Sequence, residues 1–401
     1  MAVTGSITTR FIDEKGLDLG KTLIEKDYLI SVYPNIVNQM DTPMLMTWGR
    51  NTYGQLGDNT QTSRSSPVQT ITYGANWKSV ACGYSTLAIK TDGALWCWGD
   101  NSSGQLGDNT IVKRSSPVQT VAFGTNWKSV SSGSHHCAAT KTDGTLWNWG
   151  RNTSGQLGDN TSTNRSSPVQ TIAFGTNWKQ VSAGYRSTTA AIKNDGTLWT
   201  WGGNSYGQLG DNTSVNKSSP VQTVTRGTNW KQVACGSYNV AAIKTDGTLW
   251  TWGYNNSGGL GDNTTTNRSS PIQTIAYGTN WKQVASGYQN TAAIKTDGTL
   301  WCWGSNVNGQ LGDNTTVDKS SPVQTICGGT DWKSVSCGEK FTAAIKNNGT
   351  LWTWGRNFFG QLGDNSSASR SSPVQTILYG QNWKSVSCGS VNTAAIKDGD
   401  F

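Results

Sequence analysis

Seven near-identical units, four short apolar runs within each, and a composition rich in turn formers and aromatic residues together predict an all-β chain folded as a seven-bladed β-propeller. The 401 residues include 48 Gly and 20 Trp, and only 14% are charged. Long helices favour Ala, Glu, Lys and Leu, and disordered chains favour charge, so both classes are excluded.

The repeat is set by two independent markers. Trp-Gly begins at Trp48, Trp98, Trp149, Trp201, Trp252, Trp303 and Trp354, with spacings of 50, 51, 52, 51, 51 and 51. Trp-Lys begins at Trp77, Trp127, Trp178, Trp230, Trp281, Trp332 and Trp383, again seven times. In the fourth unit the apolar runs are "WKQVACG" (strand A, Trp230 to Gly236), "VAAIK" (strand B, Val240 to Lys244), "LWTWG" (strand C, Leu249 to Gly253) and "PIQTI" (strand D, Pro271 to Ile275). Asp246-Gly247 between B and C is a hairpin signal, because Gly accepts positive φ without strain. Within strand C, Trp250 and Trp252 share one side, while Leu249 and Thr251 share the other.

The register predicts how the ring closes. The chain enters the repeat at a strand C, "MLMTWG" (Met44 to Gly49), and leaves after a strand B, "TAAIKDGDF" (Thr393 to Phe401). The last blade therefore takes strands A and B from the C-terminus and C and D from the N-terminus, which removes the free edge. Residues 44–401 form the propeller. Residues 1–43 lie outside the repeat, where Leu23, Ile24, Tyr28 and Val32 recur near helical spacing behind a Thr22 and Glu25 capping pair and ahead of Pro34. They are expected to form a short helical docking arm, available for assembly or homo-oligomer contacts.

Variation among the copies is concentrated on one side of the meander, the opposite side being nearly invariant. The distances from Trp-Gly to Pro (19 residues), Pro to Trp-Lys (10) and the strand B Lys to the next Trp-Gly (8) are constant, so every length change falls between A and B. The residues following Trp-Gly also vary, and both connections lie on the same face. Loops on a rigid frame carry recognition, so that face is the candidate binding surface. Its candidates are Arg50, Tyr53, Tyr84, His135, Arg151, Tyr185, Arg186, Tyr206, Tyr238, Tyr254, Tyr288, Arg356, Phe358 and Phe359, residue types that anchor protein interfaces.

The net charge is +8, and residues 1–43 hold four basic and six acidic side chains, so the propeller is near +10. Of its basic residues, 21 form three sevenfold sets, exemplified by Lys78, Lys90 and Arg64. Turn aspartates such as Asp92 and Asp246 offset much of this charge, so nucleic acid is not the expected partner. Catalysis is not expected either: there are only three glutamates, Glu14, Glu25 and Glu339, and no phosphate loop or nucleophile motif. His135 and His136 lack partners at metal-binding spacing apart from Cys137, so no metal, catalytic residue or cofactor is expected. Cys82, Cys235, Cys337 and Cys388 share a repeat position with Ser132, Ala183 and Ser286, which implies small buried thiols rather than disulfides. Neither a signal peptide nor an apolar run long enough to span a membrane is present, so no membrane insertion is expected.

At "WGxNxxGQLGDN", "SSPV" and "AAIKxDGTLW" the chain resembles the regulator of chromosome condensation repeat family over residues 44 to 401. The resemblance implies a seven-bladed propeller and, for function, nucleotide exchange or chromatin binding. The family usually carries a His where strand B begins, and here only the unit containing His135 and His136 keeps one. The arm resembles attachment segments of bacteriophage structural proteins. The first expectation is accordingly a non-enzymatic interaction protein, concretely a bacteriophage virion component assembled in the host cytoplasm. Its variable face would contact a neighbouring subunit or host surface. The alternatives are a soluble cytoplasmic exchange factor or chromatin-binding regulator, and a proteinaceous enzyme inhibitor.

Overall fold

Strand C of the fourth unit shows how the repeat becomes a blade. In the computed structural model, which describes residues 43–71, 76–122, 124–172, 175–225, 227–275, 278–378 and 380–398, Leu249–Gly253 pairs antiparallel with Asn239–Lys244 on one side and Arg268–Gln273 on the other. Asn239–Lys244 pairs in turn with Trp230–Cys235. The same A-B-C-D order forms seven four-stranded sheets. Blades 1 to 6 run from Trp77 to Gln119, Trp127 to Gln170, Trp178 to Gln222, Trp230 to Gln273, Trp281 to Gln324 and Trp332 to Gln375. The arm expected over residues 1–43 falls, apart from Pro43, outside the described residues.

Blade 7 is spliced from both ends of the repeat. Met44–Gly49 and Arg64–Gln69 supply C and D, and Trp383–Cys388 and Asn392–Lys397 supply A and B. The seam runs in unbroken register from Met44 opposite Lys397 to Gly49 opposite Asn392. A ring so closed leaves no strand B or C edge exposed.

The core lies between blades. Trp252 and Val240 of blade 4 pack with Ile192 and Leu198 of blade 3, whereas Leu249 and Ile243, on the opposite side of blade 4, pack with Trp281 and Trp303 of blade 5. Each blade has two apolar faces and cannot bury either alone, which is why the repeat is stable only as a ring. Within every blade the strand A and strand C tryptophans meet edge to face, as Trp230 and Trp252 do at 6.2 Å.

A clamp copied seven times fastens each blade to the one before it. The Trp98 indole donates to the Gln55 carbonyl at 3.0 Å, Trp252 to Gln208 at 2.9 Å, and Trp303 to Gly259 at 3.0 Å. The peptide chain must turn tightly to aim that carbonyl. Gly57, at φ 67°, lies flat on the Trp98 ring, where a Cβ would stand 2.7 Å from Nε1. Two residues on, Asn59 adopts φ 60° and its N–H donates to the Ser115 carbonyl of the next blade at 2.9 Å. The recurring "GQLGDN", with Gly259 in place of Gln in one copy, is therefore a joint between blades.

Strand D differs from expectation. It starts at Arg268, not Pro271, because Gly253 opposes Arg268 across a break in register. As the outermost strand it has one solvated edge, so polar Arg-Ser-Ser and a proline without a donor N–H are tolerated there.

Candidate functional site

Strand A of each blade lines an axial cavity of about 250 Å³, with Val80, Cys82, Ser132, Cys235 and their counterparts on its wall. The A to B and C to D connections open on one end of this axis, called here the loop face. The B to C turns and D to A connections form the other, the turn face.

Two aromatic and cationic clusters occupy the loop face. In the first, Tyr206 meets Tyr254 at 4.8 Å and Tyr238 at 5.2 Å, and Tyr238 meets Tyr288 at 6.2 Å. Arg186 lies over Tyr238 and Tyr288 at 5.8 and 6.0 Å. In the second, Arg356 lies over Phe358 at 4.9 Å, Arg50 over Phe359 at 5.2 Å and Tyr53 at 5.3 Å, and Tyr84 bridges Tyr53 to His135. These contacts hold the rings upright before any partner arrives, which lowers the entropy lost on binding. Arg151 is exposed beside His135, its backbone N–H donating to the His135 carbonyl at 2.8 Å and its Nε to Thr153.

The exposed apolar side chains point to the same face. Of the nine large ones among the described residues, Ile111, Val112, Tyr206, Val215, Val307, Val317 and Phe358 lie in C to D loops. Isolated exposed apolar residues need no explanation, but their concentration on one face does. The aliphatic members were missed in the sequence, as was Lys113, whose ammonium sits 4.2 Å from the Tyr53 ring centre. The available signal was Ile111-Val112-Lys113 standing where the other copies carry mostly short polar residues.

Tyr185 is a correction. It was expected on the binding surface, yet it is only 8% exposed and projects into the axis. Its hydroxyl lies 2.7 Å from the Cys337 carbonyl and 2.8 Å from that of Cys388, two blades on the far side of the ring. Ser134 and Ser390 meet above it at 3.1 Å. Tyr185 therefore closes the axis, and what remains outside is a dimple of about 30 Å³ bordered by His135, Arg186, Ser237 and Glu339.

The two histidines have separate roles. His135 is half-buried at the dimple, 3.9 Å from the Asp100 carboxylate; burial holds its pKa below the ordinary value and Asp100 opposes that shift. His136 is fully buried and bonds Thr189 of blade 3 at 3.0 Å, and burial pushes its pKa down to about 3. It is an interblade packing residue at a position filled by Asn239, Asn290 and Asn392 elsewhere. Because the unfolded chain binds a proton near pH 6.5 and the folded chain does not until about 3, His136 should erode stability as pH falls through that window. His136→Asn is expected to flatten the acid limb of the stability profile, whose slope from one such group is at most about 1.4 kcal/mol per pH unit. Unchanged denaturation midpoints of the variant relative to the parent at pH 4 and pH 7 would refute this. No group of side chains suited to a metal ion occurs among the described residues, and all eight cysteines are free thiols.

Comparison with known proteins extends this geometry. The RCC1-like domain model matches residues 37–275 and 129–401. The ultraviolet-B receptor UVR8 of Arabidopsis thaliana is 34% identical over 342 residues, covering 82% of this chain and 77% of UVR8. The E3 ubiquitin-protein ligase HERC2 of Homo sapiens is 31% identical over 273 residues, 66% of this chain but only 6% of HERC2. Among solved structures, human WBSCR16 superposes with a TM-score of 0.79 at 22% identity, covering 90% of this chain and 100% of that one. Prp20p of Saccharomyces cerevisiae does so at 0.81 and 18% identity, covering 90% and 92%. These two likenesses concern the fold.

Proposed function

We propose, since this chain belongs to the RCC1-like domain family, that it is an interaction propeller whose loop face docks a protein partner. The observation that carries this reading is the pair of ordered aromatic and arginine clusters, with Phe358 62% exposed and Tyr206 37% exposed at their summits. Aromatic and Arg anchors contribute disproportionately to protein interfaces, and here they are already positioned. Family membership favours a regulatory partner, and a small GTPase whose nucleotide exchange is accelerated is the most concrete form of that reading. The virion role expected from the arm rests on residues outside the described structure and receives no support from the plant and human relatives.

The test is a double variant, Phe358→Ser with Tyr206→Ser. Both side chains lie outside the interblade cores, so the melting temperature should stay within about 4 °C of the parent, the ring contacts that Tyr206 loses being worth about 1 kcal/mol. Partner capture should fall at least about tenfold, the loss expected of one to two interface anchors. Retained capture by the stably folded variant would remove the loop face from consideration. Measured GDP release from small GTPases of the same source, with and without the chain, tests the exchange reading separately.

A further inference from the structure

The three sevenfold basic sets, equivalent in sequence, are not equivalent in space. The Arg64 set is neutralised on the loop face: Arg64 pairs with Asp58 at 3.2 Å, Arg165 with Asp159 at 2.9 Å and Arg268 with Asp262 at 2.9 Å. The Lys90 set is held against tryptophan, Lys90 lying 5.4 Å from the Trp77 ring centre and 5.0 Å from that of Trp96, with the same arrangement at Lys244 and Lys295. The Trp-Lys set, Lys78 and its six counterparts, is exposed in every blade. Among the described residues only Lys384 of this set forms an ion pair, with Asp398.

Position makes the third set distinctive. Each of these lysines is the second residue of a strand A, the strand that lines the axis, at the strand end that opens on the turn face. In all seven blades the ladder slips at this residue, as between Trp77 and Ser79 or Trp230 and Gln232, so Lys78 and Lys231 have no partner opposite them. Such a bulge re-aims a side chain out of the ladder. Fourteen lysines and seven aspartates lie on the described turn face, whereas the loop face carries thirteen basic and ten acidic residues. The excess positive charge is thus seven on the turn face and three on the loop face.

We infer that this ring of strand A lysines binds a compact ligand bearing several clustered phosphates, seated over the turn-face end of the axis. Ammonium groups meet phosphate as point charges without a fixed fork geometry, so a ring of them suits phosphates radiating from a small centre. One exposed ion pair is weak, and affinity here comes from engaging several at once. The inference is independent of the loop-face reading, which concerns the opposite end of the molecule.

The probe is inositol hexakisphosphate, titrated calorimetrically into the full chain. One ligand per chain is expected, with affinity dropping about tenfold or more between 50 and 200 mM salt because exposed charges are screened. Substituting Lys78, Lys179 and Lys282 by Gln should weaken binding by about tenfold or more. Lys128→Gln, Lys231→Gln and Lys333→Gln together form a second, independent set with the same expectation. Arg50→Gln with Arg356→Gln, on the loop face, should bind as the parent does. Parent-like affinity in either folded lysine set would overturn the inference. So would loose binding of many ligands per chain, or tighter binding to phosphatidylserine vesicles or single-stranded DNA than to the probe.

Discussion

Deleting residues 44–71 is expected to abolish the single cooperative unfolding transition rather than remove one blade from an otherwise intact ring. The segment supplies strands C and D of blade 7, and with them Trp48, which packs against Phe341, Ile345 and Leu351 of blade 6. It also supplies Leu45, which packs against Trp77, Ala88 and Trp98 of blade 1. Two of the seven interblade cores therefore open together, and strand B of blade 7 loses its strand C partner along its whole length, keeping only strand A. Truncating one buried Trp typically costs about 3–5 kcal/mol, against a total domain stability of about 5–15 kcal/mol. Hydrogen exchange should find raised rates in blades far from the seam, because a solenoid opened at one joint loses neighbour stabilisation progressively. If blades 2 to 5 kept parent-like protection and melting temperature, closure at the seam would be dispensable and the argument wrong.

Trp252→Ala should lower stability by about 3–5 kcal/mol, and the more informative comparison is with phenylalanine. Trp252→Phe keeps most of the ring volume but loses the indole donor to the Gln208 carbonyl. At the equivalent joint one blade earlier, the Gln156 carbonyl accepts from both the Trp201 indole and the Thr189 hydroxyl, at 2.9 and 2.8 Å. Blade 4 has Val240 where blade 3 has Thr189, and Val offers no hydroxyl. Trp252→Phe should therefore leave a buried carbonyl without its side-chain donor, and it should destabilise by about 1 kcal/mol more than Trp201→Phe. Equal denaturation midpoints for the two variants would show that the indole bond adds nothing beyond packing.

Both predictions concern features that the repeat made legible. A residue copied seven times at one spacing must serve a role that every blade shares, and closure, packing and the joints between blades are such roles. The strand order, the splice of the two ends and the small buried thiols could all be read this way, as could the division between an invariant and a varied face. The exceptions were harder to read. Tyr185 and Tyr288 both follow the glycine at the end of a strand A, yet Tyr185 closes the axis and Tyr288 lines the loop face. The one extra residue after Tyr185, relative to the unit of Tyr288, changes which way its ring can turn, and nothing local in the sequence records that. His135 and His136 are adjacent, and alternation across the strand end sends one to the surface and the other between blades.

By itself, then, the sequence determined the number of blades, the order of strands, the register of closure and the face on which variation accumulates, because all of these follow from periodicity and from constant spacing along the chain. The tertiary structure alone decided which copies of a charge are spent and which remain in solvent. Arg64, Lys90 and Lys78 are each one of seven repeats in the sequence; in space the first meets a carboxylate, the second two tryptophan rings, and the third stands exposed at a bulge of strand A. Periodicity specifies where along a blade a side chain emerges, whereas its partners come from strands and blades far away in the chain, and only the closed ring brings them within reach.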